Sequence, residues 1–180
     1  LATSLEADGP GSRNLYAASQ VGDALLVFGR NADDASPDHG RLTLRQSFFD
    51  GSGGVDGLSG ARAVRVSRDG KNVYVAGEDD DALAVFSREE VGGTLTFIEA
   101  QLDGIGGVDG LDQAYGVAVS PSGQYVYVAG LGDDAIAAFG RVSASRCTGS
   151  GVGNLVDTVD IAAGGRLLYT VTATVDPAAV

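Results

Sequence analysis

Apolar and polar positions alternate with a period of two through most of this chain, between short clusters of Gly, Asp, Ser and Asn. Such alternation is the signature of half-buried β-strands, and the clusters are turn chemistry. Between Gly60 and Gln113 the pattern predicts four strands. Ala63 to Ser67 comes first and ends at the turn Arg68-Asp69-Gly70. Asn72 to Ala76 follows, with Val73 and Val75 on one face and Tyr74 on the other. After the acidic turn Glu78 to Asp81 comes Ala82 to Ser87, and after Glu89 to Gly93 comes Thr94 to Leu102. No segment sustains an apolar period of 3.6, which excludes a solenoid of helices.

The four-strand unit recurs. Tyr74, Asp81 and Phe86 reappear as Tyr127, Asp134 and Phe139, each 53 residues later. Tyr16, Asp23 and Phe28 precede the same three positions by 58 residues. The extra residues fall in one loop, because Asp50 and Asp56 again stand 53 residues before Asp103 and Asp109. Four up-and-down strands in about 50 residues form the blade of a β-propeller. The fold class expected is therefore all-β: a propeller fragment of two to three four-stranded blades, in units of about 1–59, 60–113 and 114–142. Known propellers have about four to eight blades, so further blades of a longer chain are expected partners.

Residues 143–180 depart from the repeat and predict a β-hairpin. Its strands would be Leu155 to Ile161 and Arg166 to Val175, joined by Ala162-Ala163-Gly164-Gly165. An unpaired third strand in the last blade would leave a row of exposed N–H and C=O groups. Leu155 to Ile161 is therefore expected beside the Asp134 to Arg141 strand, with the second run folded back onto it.

The segments VSRDGKNVYVAGEDDDALAVFSR and VSPSGQYVYVAGLGDDAIAAFGR resemble the YVTN-type repeats of bacterial surface propellers and of the lactonase-like seven-bladed propeller family. The loop D-G-x-G-G-V-D-G-L, at Asp50 to Leu58 and at Asp103 to Leu111, is similar to those of the surface arrays. The final stretch resembles the C-terminal hairpin of immunoglobulin-like repeats of bacterial surface proteins. Together these resemblances imply a non-catalytic, secreted or cell-surface module for adhesion, display or ligand binding. A protein or carbohydrate ligand would be its partner. The alternative they imply is part of a lactonase-like hydrolase of the 6-phosphogluconolactonase type.

Composition narrows the chemistry. Twelve basic residues against 24 acidic ones give a formal net charge of −12, which repels nucleic acid and anionic membrane surfaces. No run approaches the ~20 apolar residues of a membrane span. One cysteine and one histidine exclude an intrachain disulfide and any His-pair metal site. The 28 glycines suit a chain rich in tight turns.

The Asp/Gly loops are the candidate metal site. Asp103, Asp109 and Asp112 in one unit, and Asp50 and Asp56 in another, offer hard oxygen donors of the kind Ca²⁺ takes. Their spacing is not that of a known calcium loop, and the competing reading is that Asp and Gly simply build turns. Asp23, Asp81 and Asp134 read as Asx-type turns closing a hairpin, with a ring of carboxylates on one propeller face as the functional alternative. Arg30, Arg88 and Arg141 are expected to pair with acidic turns of a neighbouring blade. Phe28, Phe86 and Phe139 are expected in the core between blades. His39 reads as an exposed loop residue. The resemblance implies catalysis by His, Arg and Glu near the central channel, yet no such His matches a position in these repeats, so no catalytic residue or cofactor is expected. A catalytic pocket would need blades that differ from one another, with convergent His, Arg or Lys.

Overall fold

The computed structural model describes residues 2–7, 13–142 and 166–168. These residues form three four-stranded antiparallel sheets, each a meander in chain order. The first blade holds β1 (Ala2–Ala7), β2 (Asn14–Ser19), β3 (Ala24–Arg30) and β4 (Leu42–Phe49). The second holds β5 (Ala61–Val66), β6 (Asn72–Gly77), β7 (Ala82–Arg88) and β8 (Leu95–Leu102). The third holds β9 (Ala114–Val119), β10 (Tyr125–Gly130), β11 (Ala135–Val142) and β12 (Arg166–Leu168). The chain is thus an all-β propeller fragment, as its periodicity predicts.

The last strand corrects one expectation. Leu155 to Ile161 lies outside the described residues, and the strand beside β11 comes from the second expected run. Gly140, Arg141 and Val142 of β11 stand opposite Leu168, Leu167 and Arg166. The physical reason given for recruitment still applies, since the open edge of β11 takes a strand within reach. Register with β11 positions this segment among the described residues.

The innermost strands β1, β5 and β9 lie side by side, so the blades radiate from one axis. Two apolar cores fill the spaces between blades. The first packs Tyr16, Leu25 and Val27 of blade 1 against Val64, Val73, Val75 and Phe86 of blade 2. The second repeats the arrangement, with Tyr74, Leu83 and Val85 against Val117, Val126, Val128 and Phe139. Phe48 and Phe97 meet the Phe86 ring edge-on at 5.1 and 5.4 Å, a geometry that adds to the burial. Each core takes one strand face from one blade and the opposite face from the next, so β6 is buried on both faces, Val73 and Val75 on one side and Tyr74 and Ala76 on the other, where simple alternation predicted a half-buried strand.

Polar contacts at the junctions also repeat. Asp23, Asp81 and Asp134 have φ of 45°, 51° and 51°, a left-handed conformation that Asp tolerates better than most residues. Their carboxylates were expected to close their own hairpins. Instead, Asp23 accepts the Gly60 N–H at 2.8 Å and Asp81 accepts the Gln113 N–H at 2.7 Å, each at the entrance to the following blade. The arginine column reaches the other way. Arg88 Nε donates to the Tyr16 hydroxyl at 2.6 Å, and Arg141 donates to Asp69 at 2.9 Å and to Asn72 at 2.8 Å. The expected acidic partner on a neighbouring blade therefore holds for Arg141, and Arg88 reaches a tyrosine of its neighbouring blade.

Candidate functional site

Two regions at the end of the blades that carries the β4–β5 and β8–β9 loops concentrate polar chemistry. In the first, the loops build a pair of equivalent acidic clusters. Asp50, Asp56 and Asp80 bring carboxylate oxygens within 4.8 Å of one another, and Asp103, Asp109 and Asp133 do the same. The third member of each cluster comes from the turn between the second and third strands of the blade that the loop enters. Asp80 and Asp133 were not among the expected ligands, although they too stand 53 residues apart.

Asp112 was expected in the cluster and is not part of it. Its position corresponds to Ser59 in the preceding unit, and both residues use the main-chain N–H instead. Ser59 donates to Asp80 at 2.8 Å and Asp112 donates to Asp133 at 2.9 Å. Asp50 and Asp103 each clamp their loop by accepting a main-chain N–H eight residues on, from Leu58 and Leu111, both at 2.9 Å. Burial raises the Asp80 carboxyl above its ordinary value, the Ser59 N–H opposes it, and repulsion from Asp50 and Asp56 adds to it. Asp112 is also raised, by desolvation and then by Asp81, Asp133 and Asp103. Crowded carboxylates of this kind favour a proton or a hard cation among them.

The second region lies at the inner strand ends, where three blades meet. Arg62 on β5 makes an ion pair with Glu78 at 2.8 Å, and Gln20 from blade 1 donates to the same Glu78 oxygen at 2.8 Å. The Arg62 guanidinium lies over the Tyr115 ring of blade 3, 4.3 Å from its centroid. Tyr115, as hydrogen-bond partner, does most to hold Arg62 above its ordinary pKa; desolvation opposes this, and Glu78 and Asp79 reinforce it. A β-bulge aims these side chains. Pairing skips from Ala61 to Ala63 in β5 and from Ala114 to Gly116 in β9, leaving Arg62 and Tyr115 as the extra residues. Bulges commonly re-aim a side chain beside a functional site.

Nothing in the sequence reading singled out this cluster, yet it left a signal. The bulge column reads Thr3, Arg62, Tyr115 in successive blades, and the Glu78 column reads Gln20, Glu78, Leu131. These are positions where the blades differ, the condition set above for a catalytic pocket. Further along the inner strands, Arg65 reaches Glu6 of blade 1 at 3.4 Å. His39 lies in the β3–β4 loop, half-exposed and 3.0 Å from Asp34, as its loop position predicts.

With this geometry in view, known proteins decide between the two functional readings. The family described as lactonase, 7-bladed β-propeller, matches residues 9–141. The chain belongs to that family. Among solved structures, the periplasmic gluconolactonase of Pseudomonas aeruginosa is similar with a TM-score of 0.62 and 25% identity, over 92% of this chain and 42% of that one. A candidate 6-phosphogluconolactonase of Bacteroides fragilis is similar with a TM-score of 0.60 and 25% identity, over 77% of this chain and 34% of that one. Its counterpart from Bacteroides uniformis, at 20% identity and a TM-score of 0.60, supports the fold alone. The chain thus spans well under half the length of these neighbours. No curated protein sequence matches it.

These findings overturn the non-catalytic surface module. Family and neighbours favour the lactonase-like alternative, and the variable inner columns supply the differing blades that the surface reading lacked. The extracellular or cell-surface location falls with it, since one neighbour is a periplasmic enzyme. The immunoglobulin-like reading of residues 143–180 finds no support either; the family match ends at residue 141, and Arg166–Leu168 pairs as a blade strand.

Proposed function

We propose that these blades are part of a lactonase-like hydrolase that opens the cyclic ester of a sugar acid. The observation that carries this reading is the Arg62–Glu78 pair, held between Gln20 and Tyr115 where three innermost strands meet. Lactone opening needs a donor for the oxyanion that forms at the carbonyl and a base for the attacking water. Arg62 supplies N–H donors and a fixed positive charge. Glu78 takes a proton from the water as its oxygen bonds to the carbonyl carbon; the bond from that carbon to the ring oxygen then breaks, and Glu78 returns the proton to the ring oxygen, which leaves as a hydroxyl of the product acid. Tyr115 offers a ring face of the kind sugars stack on. The neighbouring carboxylate of Asp79 favours an uncharged sugar lactone over a phosphorylated one.

The test is hydrolysis of δ-gluconolactone and of its 6-phosphate by the protein with its full set of blades. Arg62→Gln and Glu78→Gln are each expected to lower kcat by about 10²–10³-fold with the fold intact. Lactone opening at wild-type rates in both variants would overturn the assignment of these residues. No hydrolysis of either lactone by the wild type would overturn the reaction itself.

A further inference from the structure

Gln20, half-buried in the turn between β2 and β3, closes a ring of hydrogen bonds across the first blade junction. Asp23 accepts the Gly60 N–H at 2.8 Å, and the Gly60 carbonyl accepts the Glu78 N–H at 3.2 Å. The Glu78 carboxylate accepts the Gln20 side-chain amide at 2.8 Å, and the Asp23 N–H returns to the Gln20 carbonyl at 3.4 Å. At the second junction the backbone part of this ring recurs. Asp81 accepts the Gln113 N–H at 2.7 Å, and the Gln113 carbonyl accepts the Leu131 N–H at 3.1 Å. The closing bond does not recur, because Leu131 stands where Glu78 stood and has no side-chain acceptor. Blades therefore stack without a bond of this kind, which frees the Gln20–Glu78 contact for another task.

Both side-chain donors to Glu78 reach one oxygen. Arg62 Nη1 and Gln20 Nε2 each lie 2.8 Å from Glu78 Oε2. A carboxylate only accepts, so Gln20 must meet it with its NH₂. Glu78 Oε1 has no hydrogen-bond partner among the described residues, and 17% of the side chain stays open to solvent. The last torsion of a glutamate is soft and nearly two-fold, so a single donor lets the two oxygens trade places. Two donors from different blades on one oxygen oppose that exchange.

We propose that Gln20 is a positioning residue: it pins Glu78 Oε2 against Arg62 and so presents Oε1 to the attacking water. The inference rests on the lactone-opening reading above. Within it, Oε1 is the oxygen that takes the proton from the water and returns it to the ring oxygen. Asp23 ties the Gln20 turn to Gly60, two residues before Arg62, so both donors sit in one frame.

The experiment is steady-state hydrolysis of δ-gluconolactone by the protein with its full set of blades, as a double-mutant cycle of Gln20→Leu and Glu78→Gln. Blade 3 already carries a leucine two columns of this kind along, the 56% exposed Leu131, so leucine suits the turn and the variant keeps its fold. Gln20→Leu is expected to lower kcat by about 10–100-fold at unchanged KM. Its melting temperature should stay within about 4 °C of the wild type. In the Glu78→Gln background the same change should lower kcat no further, because no base is left to position. Wild-type kcat in Gln20→Leu overturns the proposal, even where KM rises, which would mean direct contact with substrate. A larger fall in melting temperature, or losses that multiply in the double variant, overturns it in favour of a structural role. A wild type that opens no lactone overturns the reading itself, and the assignment of Gln20 with it.

Discussion

The columns that face a neighbouring blade and the columns at the innermost strand ends come from one repeat, and they have diverged to different degrees. At the junctions, Tyr16 and Tyr74, Phe86 and Phe139, and Asp23 and Asp81 keep both residue and contact from blade to blade. At the inner ends, Arg62 is followed by Tyr115, and Gln20, Glu78 and Leu131 share one position. Repetition marks what joins blade to blade, because every junction must solve the same packing problem. Variation marks what the molecule needs once. The acidic clusters belong with the first kind, since each member is repeated and several oxygens already hold the backbone of their loops.

Breaking the repeated part should have the largest effect. Phe86→Ala removes a fully buried ring that meets Phe48 and Phe97, and is expected to destabilise by about 3–5 kcal/mol in urea titration. A loss under ~1 kcal/mol would mean that the junction is not the structural unit inferred here.

A smaller loss is expected from Asp81→Ala. It takes the acceptor from the Gln113 N–H and places alanine at a φ of 51°, for about 1–3 kcal/mol. Asp81→Asn keeps an acceptor and tolerates that backbone, so most of the stability should return. Equal losses in both variants would show that the link to the next blade contributes little.

Acid titration should separate the junction from the loop by sign. At Asp69 burial raises the carboxyl, but hydrogen bonds from Ser67 and Arg141 outweigh it and hold it below its ordinary value. That contribution is present above the ordinary value and lost as pH falls through the lowered one. Asp80 is raised, so it costs stability at neutral pH and the cost fades as pH falls through its raised value. Asp69→Asn should therefore lower the melting temperature at pH 7, and Asp80→Asn should raise it slightly. Both differences should shrink once pH is below the ordinary aspartate value of 3.8. Shifts of the same sign would break the distinction.

The smallest effect is expected from calcium. Titration calorimetry should give no heat, because Asp50, Asp80, Asp103 and Asp133 each spend an oxygen on a main-chain N–H. Heat that disappears in Asp80→Asn and Asp133→Asn would make the clusters cation sites.

Most of the blade architecture was legible in the sequence. The expected strands from Ala63 to Leu102 differ from the observed ones by at most two residues at any end, since strand alternation and turn chemistry are both local. The partners of the loops were not legible. Asp80 joins Asp50 and Asp56 across the entrance to a blade, and no local pattern encodes that closure. Arg62 escaped notice for a different reason. Repetition is the signal that marks the other candidate residues, whereas the bulge that turns Arg62 toward Tyr115 sits at a position that never repeats. Asp23 and Asp81 were read as local turn residues because their reach into the next blade depends on how the blades are stacked.

The junction contacts run in a fixed direction, an aspartate reaching forward to the next blade and an arginine reaching back. Stability in such an array is a sum over neighbouring pairs, and a unit opens alone only if every contact to its neighbours is surrendered. The second blade is held in this way from both sides, by Asp23 reaching Gly60 and by Arg141 reaching Asp69 and Asn72. Amide protons of β6 and β7 should therefore exchange with solvent as one unit, and loosening either neighbour, with Asp23→Ala or with Arg141→Gln, should speed exchange across both strands alike.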